Sequence, residues 1–151
     1  MRVGARVGID VGGTRIGVAA SDAGGLVATP VETVRRGEGD LQRLAQLIAE
    51  REAVEVIVGL PRSLRGQEEL AAGEVRSFAA ALARYVAPCP VRLVDERMTT
   101  AVATRHMQAR GISSRRSRKT IDQAAAMVIL QETLDIEREH GAPPGEVVTA
   151  A

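Results

Sequence analysis

The stretch Val7-Gly8-Ile9-Asp10-Val11-Gly12-Gly13-Thr14-Arg15-Ile16-Gly17-Val18-Ala19-Ala20-Ser21 decides how this chain folds. Residues 7–11 are apolar as far as Asp10 and read as a first strand. The paired Gly12-Gly13 supply the backbone freedom that a tight reversal needs. Ile16 to Ser21 then returns as a second strand, and a Gly24-Gly25 turn leads into a third at residues 26–34. Strands joined by short glycine turns are the pattern of an antiparallel meander.

Beyond the meander the apolar period changes. Asp40 is placed to cap a helix in which Leu41, Leu44, Ala45 and Ile48 recur at helical spacing. Residues 54–60 are mostly apolar, as in a strand buried on both faces. Ala71, Val75, Phe78, Ala79, Leu82, Tyr85 and Val86 form one helical stripe, which Pro88-Cys89-Pro90 ends. Residues 91–94 read as a fifth strand, Thr99 caps a short helix reaching Met107, and residues 121–139 form the last helix. The expected class is therefore α/β: a mixed five-stranded sheet, meander plus parallel strands, flanked by helices. Residues 1–140 are expected to form one domain, with 141–151 as a flexible C-terminal tail. Right-handed crossovers in such sheets put ligands near the carboxyl ends of the parallel strands.

Composition narrows the classes. The chain has 151 residues, 45% hydrophobic and 26% charged, which suits one globular core needing no disulfide or structural metal. Cys89, the single cysteine, is expected to be an incidental loop thiol, and a reducing, cytoplasmic setting fits it. No apolar run approaches the roughly 18 residues that cross a bilayer, and the first residues lack a secretory apolar region. Phe78 and Tyr85 are the only aromatics, which argues against base recognition by stacking. The net charge of +1 says nothing about partners until its distribution is examined.

Three acidic positions stand where the strand-end rule directs attention. Asp10 closes the first strand, Asp95-Glu96 follow the fifth, and Asp122 lies in what reads as the first turn of the last helix. Converging carboxylates repel one another unless a cation lies between them. Oxygen ligands without His or Cys select a hard ion, Mg²⁺ or Mn²⁺, of the kind that serves phosphoryl chemistry. Taken singly each has a plainer role: Asp10 as a turn former, Asp122 as a partner of the helix dipole, and Asp95 or Glu96 as a partner of Arg97.

The charge is segregated. Arg97, Arg105, Arg110, Arg115, Arg116, Arg118 and Lys119 follow one another without an intervening acid. The stretch Gly111 to Lys119 is expected to be a mobile loop beside Asp122, able to grip a phosphodiester backbone through its arginines. A solvated charged loop is the alternative. The Asp10 to Thr14 turn also fits a phosphate cradle of the kind used by sugar-kinase and actin-like ATPases. Those enzymes close two such domains on a nucleotide, and this length accommodates one.

Three segments together resemble the YqgF/RuvX family, the Holliday-junction-resolvase-like branch of the RNase H-like fold. They are Gly8 to Ala19 with Ser21-Asp22, then Val58-Gly59-Leu60-Pro61, then Val94-Asp95-Glu96-Arg97-Met98-Thr99-Thr100; Ile121-Asp122-Gln123-Ala124-Ala125 completes the set. The resemblance implies a metal-dependent endonuclease acting in 5′-end maturation of pre-16S rRNA, with resolution of DNA Holliday junctions as the alternative. By position it implies Asp10, Glu96 and Asp122 as catalytic and metal-ligating residues, with Mg²⁺ or Mn²⁺ as cofactor. Arg97 and Thr99 would support the strand-five segment, and Asp95 is the alternative to Glu96. Arg15, Arg97, Arg110, Arg115, Arg116, Arg118 and Lys119 are the expected nucleic-acid-binding residues. Precursor rRNA is the preferred partner ahead of branched DNA, a pre-ribosomal particle is a further one, and no membrane is expected. Monomer and homodimer stay open. The chain departs from the family pattern at Thr14, at Arg62-Ser63-Leu64-Arg65 and at Thr133. A non-catalytic RNA-binding assembly factor with the same fold is the remaining reading.

Overall fold

Side-chain alternation along β1 (Arg6–Val11) organises the computed structural model, which describes residues 2–61, 70–95 and 114–149. Val7 and Ile9 enter one apolar cluster, while Gly8 faces the opposite side of the sheet. β2 (Arg15–Ser21) pairs antiparallel with β1, and β3 (Ala28–Arg35) antiparallel with β2, so the meander is as the glycine turns require. On the other edge of β1, β4 (Glu55–Leu60) and then β5 (Val91–Asp95) add in parallel. Every residue of β4 is buried, as its mostly apolar sequence anticipates, and Glu55 at its start is buried with ion-pair partners.

The sheet has six strands rather than five, in the order β3-β2-β1-β4-β5-β6. The sixth, β6 (Glu146–Val147), comes from the segment expected to be a flexible tail, and pairs antiparallel with β5. Gly145, at φ +83, brings the chain so close that a Cβ there would lie 2.0 Å from the Leu93 carbonyl oxygen. The Val148 N–H donates to the Val91 carbonyl at 2.7 Å, and Arg76 pairs with Glu146 at 2.7 Å. Two residues are too few for an alternating pattern to register.

Helices cover both faces. Leu44, Leu47 and Ile48 of α1 (Asp40–Glu50) and Val75, Phe78 and Leu82 of α2 (Leu70–Val86) pack with Val7, Ile9, Val56 and Val58. Gly39, at φ +87, caps α1 in place of Asp40, which is the first helical residue and accepts the Gly37 N–H at 3.1 Å. On the opposite face lies α3 (Ser114–His140), whose Ala126, Ile129, Leu130 and Leu134 pack with Ala19, Ile57 and Val94. Each Ile or Leu so buried is worth about 1.5–3 kcal/mol. α3 begins at Ser114 instead of Ile121, so the backbone of the segment expected as a mobile loop is helical from Ser114 onward. Its arginines favour a helix, yet without apolar positions they give no period to read. The short helix expected from Thr99 to Met107 lies outside the described residues.

The amino ends of the parallel strands hold a buried ion network. Arg6 is 1% exposed, Glu55 1% and Glu137 2%. Arg6 donates to Glu137 at 2.8 Å, Arg92 to Glu55 at 3.0 Å, and Arg2 bridges both carboxylates. Cys89 sits nearby, its thiol donating to the Ala53 carbonyl at 3.3 Å, and burial raises its pKa. This end of the sheet is tied internally. Among the described residues no helix is long and apolar enough to cross a membrane.

Candidate active site at the carboxyl end of the sheet

The positions of β1 that face α3 are Arg6, Gly8 and Asp10, and the helix runs past them in descending number. Arg6 meets Glu137. Gly8 meets Leu130 and Ala126: a Cβ there would lie 2.7 Å from the Leu130 Cβ and 3.0 Å from the Ala126 carbonyl oxygen. Asp10 is the register partner of Gly17 on β2, where a Cβ would fall 1.9 Å from the carbonyl oxygen of Asp122. Two glycines therefore let the helix backbone lie against the sheet, and the second leaves Asp10 and Asp122 on either side of one bare position. Both aspartates are half-buried.

Asp122 does not lie in the first turn of α3, as its neighbours suggested, but two turns inside the helix. A dipole effect fades within the first turn, so that plainer role is removed. Its Oδ2 instead accepts the Arg15 Nε–H at 2.7 Å, with the Arg15 side chain 34% and the Asp122 side chain 18% exposed. The pair is partly buried, with the guanidinium its more open partner and within reach of an incoming anion. Next along α3, Gln123 donates to the Thr33 hydroxyl at 3.0 Å and fixes the helix to β3.

The Gly12-Gly13 turn is held from within the fold. The Gly12 N–H donates to the Arg15 carbonyl at 2.8 Å, and the Arg36 N–H donates to the Thr14 carbonyl at 2.9 Å. The Arg36 guanidinium donates to the Gly12 carbonyl at 3.1 Å while lying 5.4 Å over the Phe78 ring. The Gly12 N–H is thus spent closing the hairpin, which weakens the phosphate-cradle reading. Ser21 and Asp22 build the next turn. Asp22 accepts the Leu26 and Val27 N–H groups, both at 2.9 Å, and these backbone bonds, that of Val27 foremost, lower its pKa.

Asp95 ends β5 opposite Leu60 and lines a cavity of about 490 Å³ with Glu132, Thr133 and Glu146. Burial, and after it the charge of Asp135, raises the Glu132 pKa. Thr133, a departure from the family pattern, is buried and donates its hydroxyl to the Ile129 carbonyl at 2.9 Å. Glu96, Arg97, Thr99 and Arg110 lie outside the described residues. For Arg115, Arg116, Arg118 and Lys119 the helical backbone alone is described. Among the described residues no group of three or more His, Cys, Asp or Glu side chains is arranged to hold a metal ion. Asp10 and Asp122 are brought together, and Arg15 is the basic candidate seen beside them.

Sequence reasoning overlooked Arg35 and Thr33. Together with Thr14 and Arg15 they line a cavity of about 380 Å³ next to Asp122. Only the pairing register of β2 with β3, which sets Arg35 opposite Arg15, reveals them.

Comparison with known proteins agrees with this architecture. A family model described as RuvX, Holliday junction resolvase, matches residues 4–136. A protein of Nocardioides sp. strain JS614 is 56% identical over 98% of this chain and 98% of its own. One from Streptomyces coelicolor is 55% identical over 98% of this chain and 90% of its own. One from Thermobifida fusca is 56% identical over 98% of each. All three carry the provisional name pre-16S rRNA nuclease. Among solved structures, Thermus thermophilus RuvC in complex with a Holliday junction substrate aligns with a TM-score of 0.59 at 19% identity, covering 93% of this chain and 99% of that one. That likeness shows the fold, the RNase H-like arrangement of RuvC.

Proposed function

Since the chain belongs to the RuvX family, we propose that it is an endonuclease hydrolysing phosphodiester bonds in structured nucleic acid, with precursor 16S rRNA as its substrate. The observation that carries the reading is the placement of Asp10 and Asp122 on either side of Gly17, at the carboxyl end of a sheet that is otherwise closed by internal ion pairs. The name borne by the near-full-length relatives supports RNA as the substrate. The description of the family model supports DNA junctions as the second reading.

Asp10 and Asp122 offer oxygen donors, which fit a hard divalent cation, and the family resemblance supplies Glu96 as the third ligand, with Asp95 as the alternative. Bound there, Mg²⁺ or Mn²⁺ would supply charge neutralisation at the reacting phosphate and a more acidic water. The chain's own part is positional. Gly17 sets the depth of α3 and hence of Asp122, the hairpin closed by Gly12 and Arg36 holds the end of β1, and Arg15 brings a guanidinium to the site. Arg97, Arg110, Arg115, Arg116, Arg118 and Lys119 are assigned to the phosphate backbone, and a cytoplasmic location follows from such a substrate. The nuclease domain takes in residues 1–140 together with the β6 segment that completes its sheet.

The test is incubation of the protein with labelled precursor rRNA and with a four-way DNA junction, each with and without Mn²⁺, beside Asp10→Asn. Cleavage of the RNA that needs the metal and drops at least about 100-fold in Asp10→Asn is expected, a loss typical of a residue holding the reacting groups. Undiminished cleavage by Asp10→Asn would remove that residue from the mechanism. Cleavage of the junction alone would favour the DNA reading, and no cleavage of either would favour an assembly factor.

A further inference from the structure

Arg15 and Arg35 are register partners across β2 and β3, so their side chains leave the same face of the sheet about 5 Å apart at Cβ. Like charges in directly opposed positions destabilise a sheet unless an anion offsets them. Arg15 has such an anion in Asp122. The exposed Arg35 shares with Thr14, Arg15 and Thr33 the wall of the 380 Å³ cavity, so the described residues of that wall present two guanidiniums and two hydroxyls. That set of donors suits a phosphate, which guanidinium forks bind through paired hydrogen bonds.

We propose that this cavity is a subsite for a backbone phosphate of the bound nucleic acid, and that Arg15 exchanges Asp122 for that phosphate on binding. The identity of the ligand and the role of Asp122 rest on the nuclease reading. In the free protein the Arg15 Nε–H occupies Asp122 Oδ2 and offsets its charge, which disfavours a cation at that carboxylate. A phosphate between Arg15 and Arg35 relieves their repulsion and draws Arg15 away, leaving Asp122 to the metal. Nucleic acid and metal then strengthen each other's binding, as reciprocal coupling requires. The site stays poorly charged with metal until substrate arrives.

Two titrations that do not depend on cleavage test this. One follows Mn²⁺ binding to the nucleic-acid-free protein by water-proton relaxation. The other follows a labelled RNA hairpin by fluorescence anisotropy in EDTA at several salt concentrations. Arg35→Gln should weaken the hairpin about 3- to 10-fold and make the salt slope shallower by about one, the signature of one lost phosphate contact. Arg15→Gln should weaken the hairpin to a similar degree and tighten Mn²⁺ several-fold. Should Arg15→Gln fold poorly by circular dichroism, Arg15→Lys replaces it, with the same signs and smaller effects. Unchanged hairpin affinity and slope in Arg35→Gln would overturn the subsite. Unchanged or weaker Mn²⁺ binding in the Arg15 variant would overturn the exchange. Asp122→Asn separates the two ideas: if it leaves Mn²⁺ affinity intact, the metal-ligand reading fails, while the hairpin titration of Arg35→Gln still decides the subsite.

Discussion

Glu137 illustrates how far one side chain here depends on its partners. Burial by itself would raise its carboxyl pKa, but hydrogen bonds from the Arg2 side chain and backbone, with the charges of Arg2 and Arg6, hold it below the ordinary carboxylate range. A depressed carboxyl contributes stability above its ordinary value of about 4.3, and that stability is lost as pH falls through the lowered value. The thermal midpoint should therefore drop as pH is lowered below about 4. Glu137→Gln should flatten that acid limb and cost about 3–5 kcal/mol at neutral pH, since Arg6 stays buried without its counter-charge. Urea denaturation at pH 7 and at pH 3 measures both; an unaltered acid limb would assign the pH dependence elsewhere. At the same scale, Asp10 was legible as a candidate residue because a carboxylate between an apolar strand and a glycine pair stands out. The bond between Arg15 and Asp122 was not, because the two lie 107 positions apart in the chain.

α3 is the element on which the site turns. Its contact with β2 admits no side chain at position 17, and its contact with β1 admits none at position 8. Gly17→Ala places a methyl group against the Asp122 carbonyl, so the helix must move outward. The expected cost is roughly 1–3 kcal/mol of overpacking, together with weakened Mn²⁺ binding, because Asp122 moves with the backbone. Gly8→Ala presses on Leu130 instead, so it should cost stability with a smaller effect on Mn²⁺. Guanidinium denaturation and metal titration of the two variants distinguish them, and equal metal affinities would argue against Gly17 as the residue that sets the site. The strands were legible because turns and alternation mark them. The start of α3 was not: backbone propensity extends the helix through Ser114-Arg115-Arg116-Ser117-Arg118-Lys119, and no apolar stripe announces it.

At the scale of the molecule, one end of the sheet is tied by internal ion pairs and the other carries the carboxylates. The C-terminal segment belongs to this plan as an edge strand. Removing residues 141–151 would take away the Val148–Val91 hydrogen bond, the Arg76–Glu146 pair and the Arg92 bond to the Pro144 carbonyl, and would uncover β5. We expect a stability loss of about 1–3 kcal/mol, the sum of a few modest interactions, and a greater tendency to associate through the bared edge. Calorimetry and light scattering report the two effects. An unchanged midpoint would show that β6 adds nothing to the fold.

The succession of strands along the chain, the two glycine turns and the nomination of Asp10 all followed from local chemistry: glycine freedom, apolar period, and a carboxylate at a strand end. These signals are short-range, so a linear reading captures them. The depth of α3, the pairing of Arg15 with Asp122, the opposition of Arg15 and Arg35, and the sixth strand depend on register and on distances between remote segments. Each arises from packing that no run of neighbours encodes, which is why the candidate carboxylates could be nominated from the sequence while the charges surrounding them came to light only once the sheet and helix were assembled.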